Sequence, residues 1–121
     1  MSIEYSCILE NKMLRVTAKG RGFSLREVKR YARTIITTAV RKKAESLLVD
    51  ERELNHDLSV VDTYKLGESV SRFAPRIGKA ALVISPEDME TEAFYETVLL
   101  NRGLSIKVTT DIAEAEEWLQ T

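Results

Sequence analysis

The earliest regular signal along the chain is a two-residue alternation. Ile3, Tyr5, Cys7 and Leu9 alternate with Glu4 and Ser6, and Leu14, Val16 and Ala18 alternate with Arg15, Thr17 and Lys19. That period belongs to strands with one buried face. Asn11-Lys12 between the two runs suits a tight turn, so residues 3–9 and 12–18 are predicted to pair as an antiparallel hairpin. Gly20 and Gly22 end it.

The period then changes to three and four. Ser24 and Glu27 are spaced to satisfy each other's free backbone N–H groups at the start of a helix. Leu25, Val28, Ala32, Ile35, Ala39 and Val40 make one apolar stripe along it. Arg41-Lys42-Lys43 close it where cations favour the helix dipole. Leu47 to Asp50 is a short apolar strand. Ser59 and Asp62 cap a second helix, whose inner face is Val60, Tyr64, Gly67, Val70, Phe73 and Ala74, ended by Pro75 and Gly78. Ala80 to Ile84 reads as a strand buried on both faces. Ser85, Pro86 and Asp88 open a third helix carrying Met89, Ala93, Phe94, Val98 and Leu99, and Gly103 is placed as its left-handed terminating residue. Leu104, Ile106 and Val108 form a last strand. Asp111 and Glu114 cap a final helix bearing Ile112, Ala115, Trp118 and Leu119.

This order, β-β-α-β-α-β-α-β-α, predicts an α/β fold. Its five-stranded mixed sheet has the antiparallel hairpin at one edge and then parallel strands joined by right-handed crossovers, with four helices. Only the centre of the sheet is expected to be covered on both faces. The 121 residues suffice for one domain, 1–121, and no linker or repeat divides them.

Composition narrows the function classes. No apolar run approaches the ~20 residues needed to span a bilayer, and the first residues lack the pattern of a signal peptide. Cys7 is the only cysteine and has no partner for a disulfide within the chain, which implies a reducing, cytoplasmic setting. Charge is unevenly spread. Residues 1–43 hold 11 Lys/Arg against 3 Asp/Glu, and the remainder hold 7 against 16, so +8 faces −9.

The four cations Arg26, Lys29, Arg30 and Arg33 lie off the apolar stripe of the first helix. They are expected to project into solvent and to dock an acidic protein surface. That surface would be either the chain's own helices, Glu87 to Glu96 and Glu114 to Glu117, or a partner. The acidic remainder would repel a phosphate backbone, so no nucleic-acid partner is expected. Phe94, Tyr95, Leu99 and Leu100 are more apolar surface than one stripe can bury. Together with the free hairpin edge, they predict a homodimer.

Reactive chemistry is sparse. His56 is the only histidine and reads as a solvated loop residue. Asp50, Glu51, Glu53 and Asp57 follow the third strand, at the edge where parallel sheets place ligands. Arg52 lies among them, however, and no partner acid follows a neighbouring strand, so no metal site is predicted. Gly20-Arg21-Gly22 lacks the third glycine and the lysine-serine that phosphate cradling needs. Cys7, on the apolar phase of its strand, reads as a packed thiol. Tyr64, Phe94, Tyr95 and Trp118 all fall on helices, which gives no stacking platform for single-stranded nucleic acid. No catalytic residue and no cofactor is predicted.

The hairpin, the capped first helix, the strand Leu47 to Asp50 and the closing helix from Asp111 to Leu119 together resemble the SpoIIAA-like group. That group contains the sulfate-transporter and anti-sigma-antagonist (STAS) domains, and the likeness is greatest to its small stand-alone bacterial members. It spans nearly the whole chain. The resemblance implies a right-handed βα superhelix and a non-enzymatic regulatory or protein-binding module of the STAS-like type. The alternative role is a carrier that holds an apolar or lipidic small molecule between sheet and helices. In the anti-sigma antagonists a serine at the start of the helix after the third strand is phosphorylated. Ser59 stands at the matching place and is the candidate phosphoacceptor, although Leu58-Ser59-Val60-Val61-Asp62 replaces the family's Asp-Ser-Ser-Gly stretch.

Overall fold

A computed structural model of the chain describes residues 3–22, 24–56, 58–72 and 77–121. Strands β1 (Ile3–Glu10) and β2 (Met13–Gly22) pair antiparallel, from Glu10 opposite Met13 to Ile3 opposite Gly20. Asn11 and Lys12 join them with φ of 48° and 69°. Both residues are left-handed, which matches the turn to the twist of the strands.

Strands β3 (Ser46–His56), β4 (Lys79–Val83) and β5 (Ile106–Thr109) add in parallel, so the sheet runs β1-β2-β3-β4-β5. The crossovers carry α1 (Leu25–Arg41), α2 (Val60–Val70) and α3 (Met89–Asn101), and α4 (Ile112–Leu119) closes the chain. The expected five-stranded mixed sheet with four helices is present.

The two faces of the sheet are covered unequally. Leu14, Val16, Leu47, Val49, Leu82 and Val108 point to one face, where Val28, Ile35 and Ile36 of α1, Leu66 and Val70 of α2 and Leu99 of α3 complete the main core. The opposite face holds a smaller cluster, in which Leu48, Ala81 and Val83 meet Ala115, with Met13, Ile112, Trp118 and Leu119 around them. Helix α4 thus covers the centre of that face, as the non-alternating middle strands require. At Gly67 of α2 an added Cβ would lie 2.7 Å from Val98 Cγ1 of α3, so the missing side chain sets how closely these helices approach.

Three expectations need correction. The third strand does not end at Asp50 but continues to His56, because it pairs with Lys19 to Gly22 of β2 beyond an irregularity. Thr17 faces Asp50 and Lys19 faces Glu53, so β3 carries one extra residue there, a bulge that reverses its alternation. Leu54, rather than Glu53, is consequently the buried residue. His56 therefore belongs to a strand, not to a loop.

Ser85 does not cap α3 through the backbone. Pro86–Asp88 form a single 3-10 turn first, and the serine Oγ donates to the Asp88 carboxylate at 3.0 Å. Nor do Val60 and Tyr64 lie on the inner face of α2: they are 69% and 44% exposed, and Thr63, Leu66, Gly67 and Val70 turn inward instead. Of the apolar residues on α3, Leu99 is 1% exposed and Tyr95 packs against the main core, whereas Phe94 and Leu100 remain 38% and 49% exposed. The inner-face places given to Phe73 and Ala74 and the helix-ending role given to Pro75 lie outside the described residues. No described helix is long and apolar enough to cross a membrane.

Candidate functional site

Two places stand out on the α1–α3 side. The first is a cavity of about 100 Å³ between the sheet and these helices. Its walls are apolar: Val28, Ala32 and Ile35 of α1, Leu66 and Val70 of α2, Leu99 of α3, and Leu47, Val49 and Ala80 of the sheet. Tyr31, Glu51, Glu92 and Tyr95 give it a polar lining as well. The Tyr31 hydroxyl donates to Glu51 Oε2 at 2.7 Å, and the Tyr5 ring meets the Tyr31 ring edge-on at 5.5 Å.

Tyr31 and Glu92 are each only 6% exposed. Burial first, and the neighbouring Glu51 charge second, push the Tyr31 phenol far above its ordinary range. Tyr95 is raised as well, by burial and then by the charges of Glu92 and Glu51. Both phenols therefore stay protonated and able to donate.

The second place is a shallow groove of about 690 Å³ between α1 and the end of α2. The four cations Arg26, Lys29, Arg30 and Arg33 line it, joined by Arg72, Ser69 and Leu25. Among the described residues none of the four has a carboxylate within ion-pair distance. The chain's own acidic helices do not reach them, contrary to one of the two expectations: α1 packs on α2, α3 lies beyond α2, and α4 is on the other face of the sheet. Several of those acids are engaged elsewhere. Glu96 accepts from the Val108 N–H, Glu114 from the Thr109 hydroxyl, and Glu116 pairs with Arg15.

Ser59 is the N-cap of α2; its exposed side chain accepts from the Asp62 N–H at 3.1 Å. The acidic run after Val49 is divided between the faces of the sheet. Asp50 takes Arg52, whose hydrogen bonds hold its carboxyl below the usual range. Glu51 turns to the cavity and Glu53 is exposed, while Asp57 lies outside the described residues. Cys7 is half-buried against the core, and burial raises its thiol pKa, which lowers its thiolate fraction.

The sequence reading missed the cavity's polar lining for local reasons. Tyr31 lies three residues after Val28 and four before Ile35, so it shares their inward face. Glu51 continues the inward alternation of Leu47 and Val49, beyond the expected strand end at Asp50. Glu92 stands among exposed acids in the first turn of α3.

No protein-family model matches the chain, nor does any curated protein. A solved structure does: an uncharacterized protein of the DUF3478 family with a SpoIIAA-like fold, from Shewanella loihica PV-4. The two superpose with a TM-score of 0.59 at 18% identity, over 98% of this chain and 94% of that one. The fold of this chain is SpoIIAA-like.

Proposed function

We propose that this SpoIIAA-like domain is a non-enzymatic binding module that holds a small, mostly apolar ligand between its sheet and α1–α3. The sequence ranked protein binding first and the carrier role second; the cavity reverses that order. It is the observation that carries the reading. Protein interiors carry few voids larger than a water molecule, and one lined by both carboxylates and apolar side chains offers a place for water or for a ligand with a polar head.

The chemistry of the lining describes the ligand. Its body must be short, because the cavity of about 100 Å³ is smaller than the roughly 150 Å³ that accommodates benzene in an engineered core. Its head should donate hydrogen bonds, as a hydroxyl or amine does, because two carboxylates line the cavity.

Thermal melts with isopropanol and isopropylamine test this. Binding at 100-fold its Kd adds about 2.7 kcal/mol of stability. Ala32→Leu, which fills the cavity, should raise the melting temperature without ligand and abolish the ligand-induced rise. No rise with either compound, and no small molecule carried over in native mass spectrometry of the protein from its own cells, would overturn the reading.

The regulatory, protein-facing role is supported by a different surface. Val60, Val61 and Tyr64 on the outer side of α2 are 69%, 60% and 44% exposed, next to the exposed Ser59. A phosphate on Ser59 would stand at the positive end of α2, where the helix dipole favours it. Intact-mass measurement of protein from native cells, showing only the unmodified 13.7 kDa chain, would remove Ser59 from this role.

A further inference from the structure

We propose that α1, α2 and α3 form a two-fold interface with a second copy of the chain, the basic groove of one copy receiving the acidic start of α3 of the other. Three observations carry it, all independent of the cavity. The helices lie side by side in the order α1-α2-α3, with α2 touching both neighbours. Each presents a different chemistry outward. Helix α1 offers Arg26, Lys29, Arg30 and Arg33 without carboxylate partners among the described residues. Helix α2 offers exposed Val60 and Val61, beside a Tyr64 ring that carries the Arg102 guanidinium at 5.5 Å. The start of α3 offers exposed Glu87 and Glu90, with Phe94 38% exposed one turn on.

Basic, apolar and acidic strips in that order are self-complementary under one symmetry operation. A two-fold axis in the plane of the interface and parallel to the helices exchanges left and right. It lays α1 over the partner copy's α3, α3 over its α1, and α2 on α2. An axis across the helices would instead set the α1 cations against each other, and like charges in register cost several kcal/mol. The charge pattern therefore selects the first axis. The result has the usual anatomy of a specific interface, an apolar centre with a charged rim, and it closes as a dimer because each patch is used once on each copy.

Three helices about 9 Å apart give a face roughly 25 Å wide and about 20 Å long. That is about 500 Å² per copy, at the small end for specific interfaces, so the dimer should dissociate in the micromolar range.

Sedimentation velocity from about 10 to 200 µM, at about 50 and about 500 mM salt, tests this. A species of about 27 kDa, twice the 13.7 kDa chain, should appear at low salt and weaken at high salt. Arg30→Glu and Glu90→Lys are both surface changes that should leave the circular dichroism intact. Each alone should raise the dimer dissociation constant about tenfold or more. An equal mixture of the two variants should dimerise again, because one rim then carries a swapped pair and the other a native one. A wild type that stays monomeric at 200 µM and low salt would overturn the proposal. So would a dimer indifferent to both reversals, which would point to the β1 edge. Capture of poly-glutamate or a mixed-sequence DNA duplex by the monomer, lost on Arg30→Glu, would give the groove to that occupant instead.

Discussion

Inside the cavity, the Tyr31 hydroxyl is nearly cut off from water and donates to the carboxylate of Glu51 at 2.7 Å. A hydrogen bond to a charged acceptor contributes about 1.5–3 kcal/mol, so Tyr31→Phe should destabilise by that amount in urea unfolding at neutral pH. Its effect on pH dependence has a definite sign. An unfolded tyrosine ionises near pH 10, and the folded Tyr31 phenol holds its proton well above that. Above about pH 10 the folded state therefore binds more protons than the unfolded one, and stability falls as pH rises. Below that value the contribution is constant. Urea midpoints between pH 8 and pH 11 should fall for wild type and fall less for Tyr31→Phe, the remainder coming from the raised Tyr95 and Cys7. Equal slopes would show that Tyr31 titrates normally. This pair was only half legible in the sequence: the helical period turns Tyr31 inward, but Glu51, on the same strand phase as Leu47 and Val49, lies beyond the expected strand end at Asp50.

At the scale of elements, the ends of helices were more legible than the ends of strands. Ser24, Ser59 and Asp111 each accept from backbone N–H groups at the helix starts the sequence assigned to them. Gly103, at φ 87°, closes α3 with Leu104 N–H bonded to Leu99 O and Gly103 N–H to Leu100 O. That is the Schellman pattern anticipated from the glycine. Helix α1 ends the same way, with Ala44 N–H on Ala39 O and Lys43 N–H on Val40 O, but its left-handed residue is Lys43, at φ 59°. A side chain in that conformation costs about 1–2 kcal/mol. The two sites give opposite predictions in denaturant unfolding. Lys43→Gly should stabilise by about 0.5–1 kcal/mol after the added freedom of the unfolded chain is subtracted, and Gly103→Ala should destabilise by about 1 kcal/mol or more. Equal signs would refute the account. The far half of β3 was illegible because its bulge shifts the alternation by one, so Glu51 to His56 looks like a polar loop when read at a fixed period of two.

For the whole molecule, the question is whether the two sides of the sheet stand or fall together. The cavity and its three helices occupy one face, and α4 alone covers the other, held by few residues. Trp118 packs against the cluster of Leu48, Ala81 and Val83, and Lys79 of β4 lies 5.0 Å above its ring while donating to Trp118 O and Thr121 O. The central strands connect the sides: Leu48 faces α4 while Leu47 and Val49 face the main core, and Ala81 and Val83 alternate with Leu82. A strand buried on both faces cannot lose one covering without exposing apolar area that the other side's packing depends on, so a domain of this size should unfold as one unit. Trp118, the only tryptophan, reports on the α4 side, whereas far-UV circular dichroism reports on all helices. Their urea transitions should superimpose. Ala32→Leu, on the far side of the sheet from the tryptophan, should move both to higher urea by the same amount, about 0.5–2 kcal/mol in stability. A tryptophan transition that precedes the loss of ellipticity, and does not follow the cavity-filling change, would mean that α4 opens on its own and the sheet does not couple its two faces.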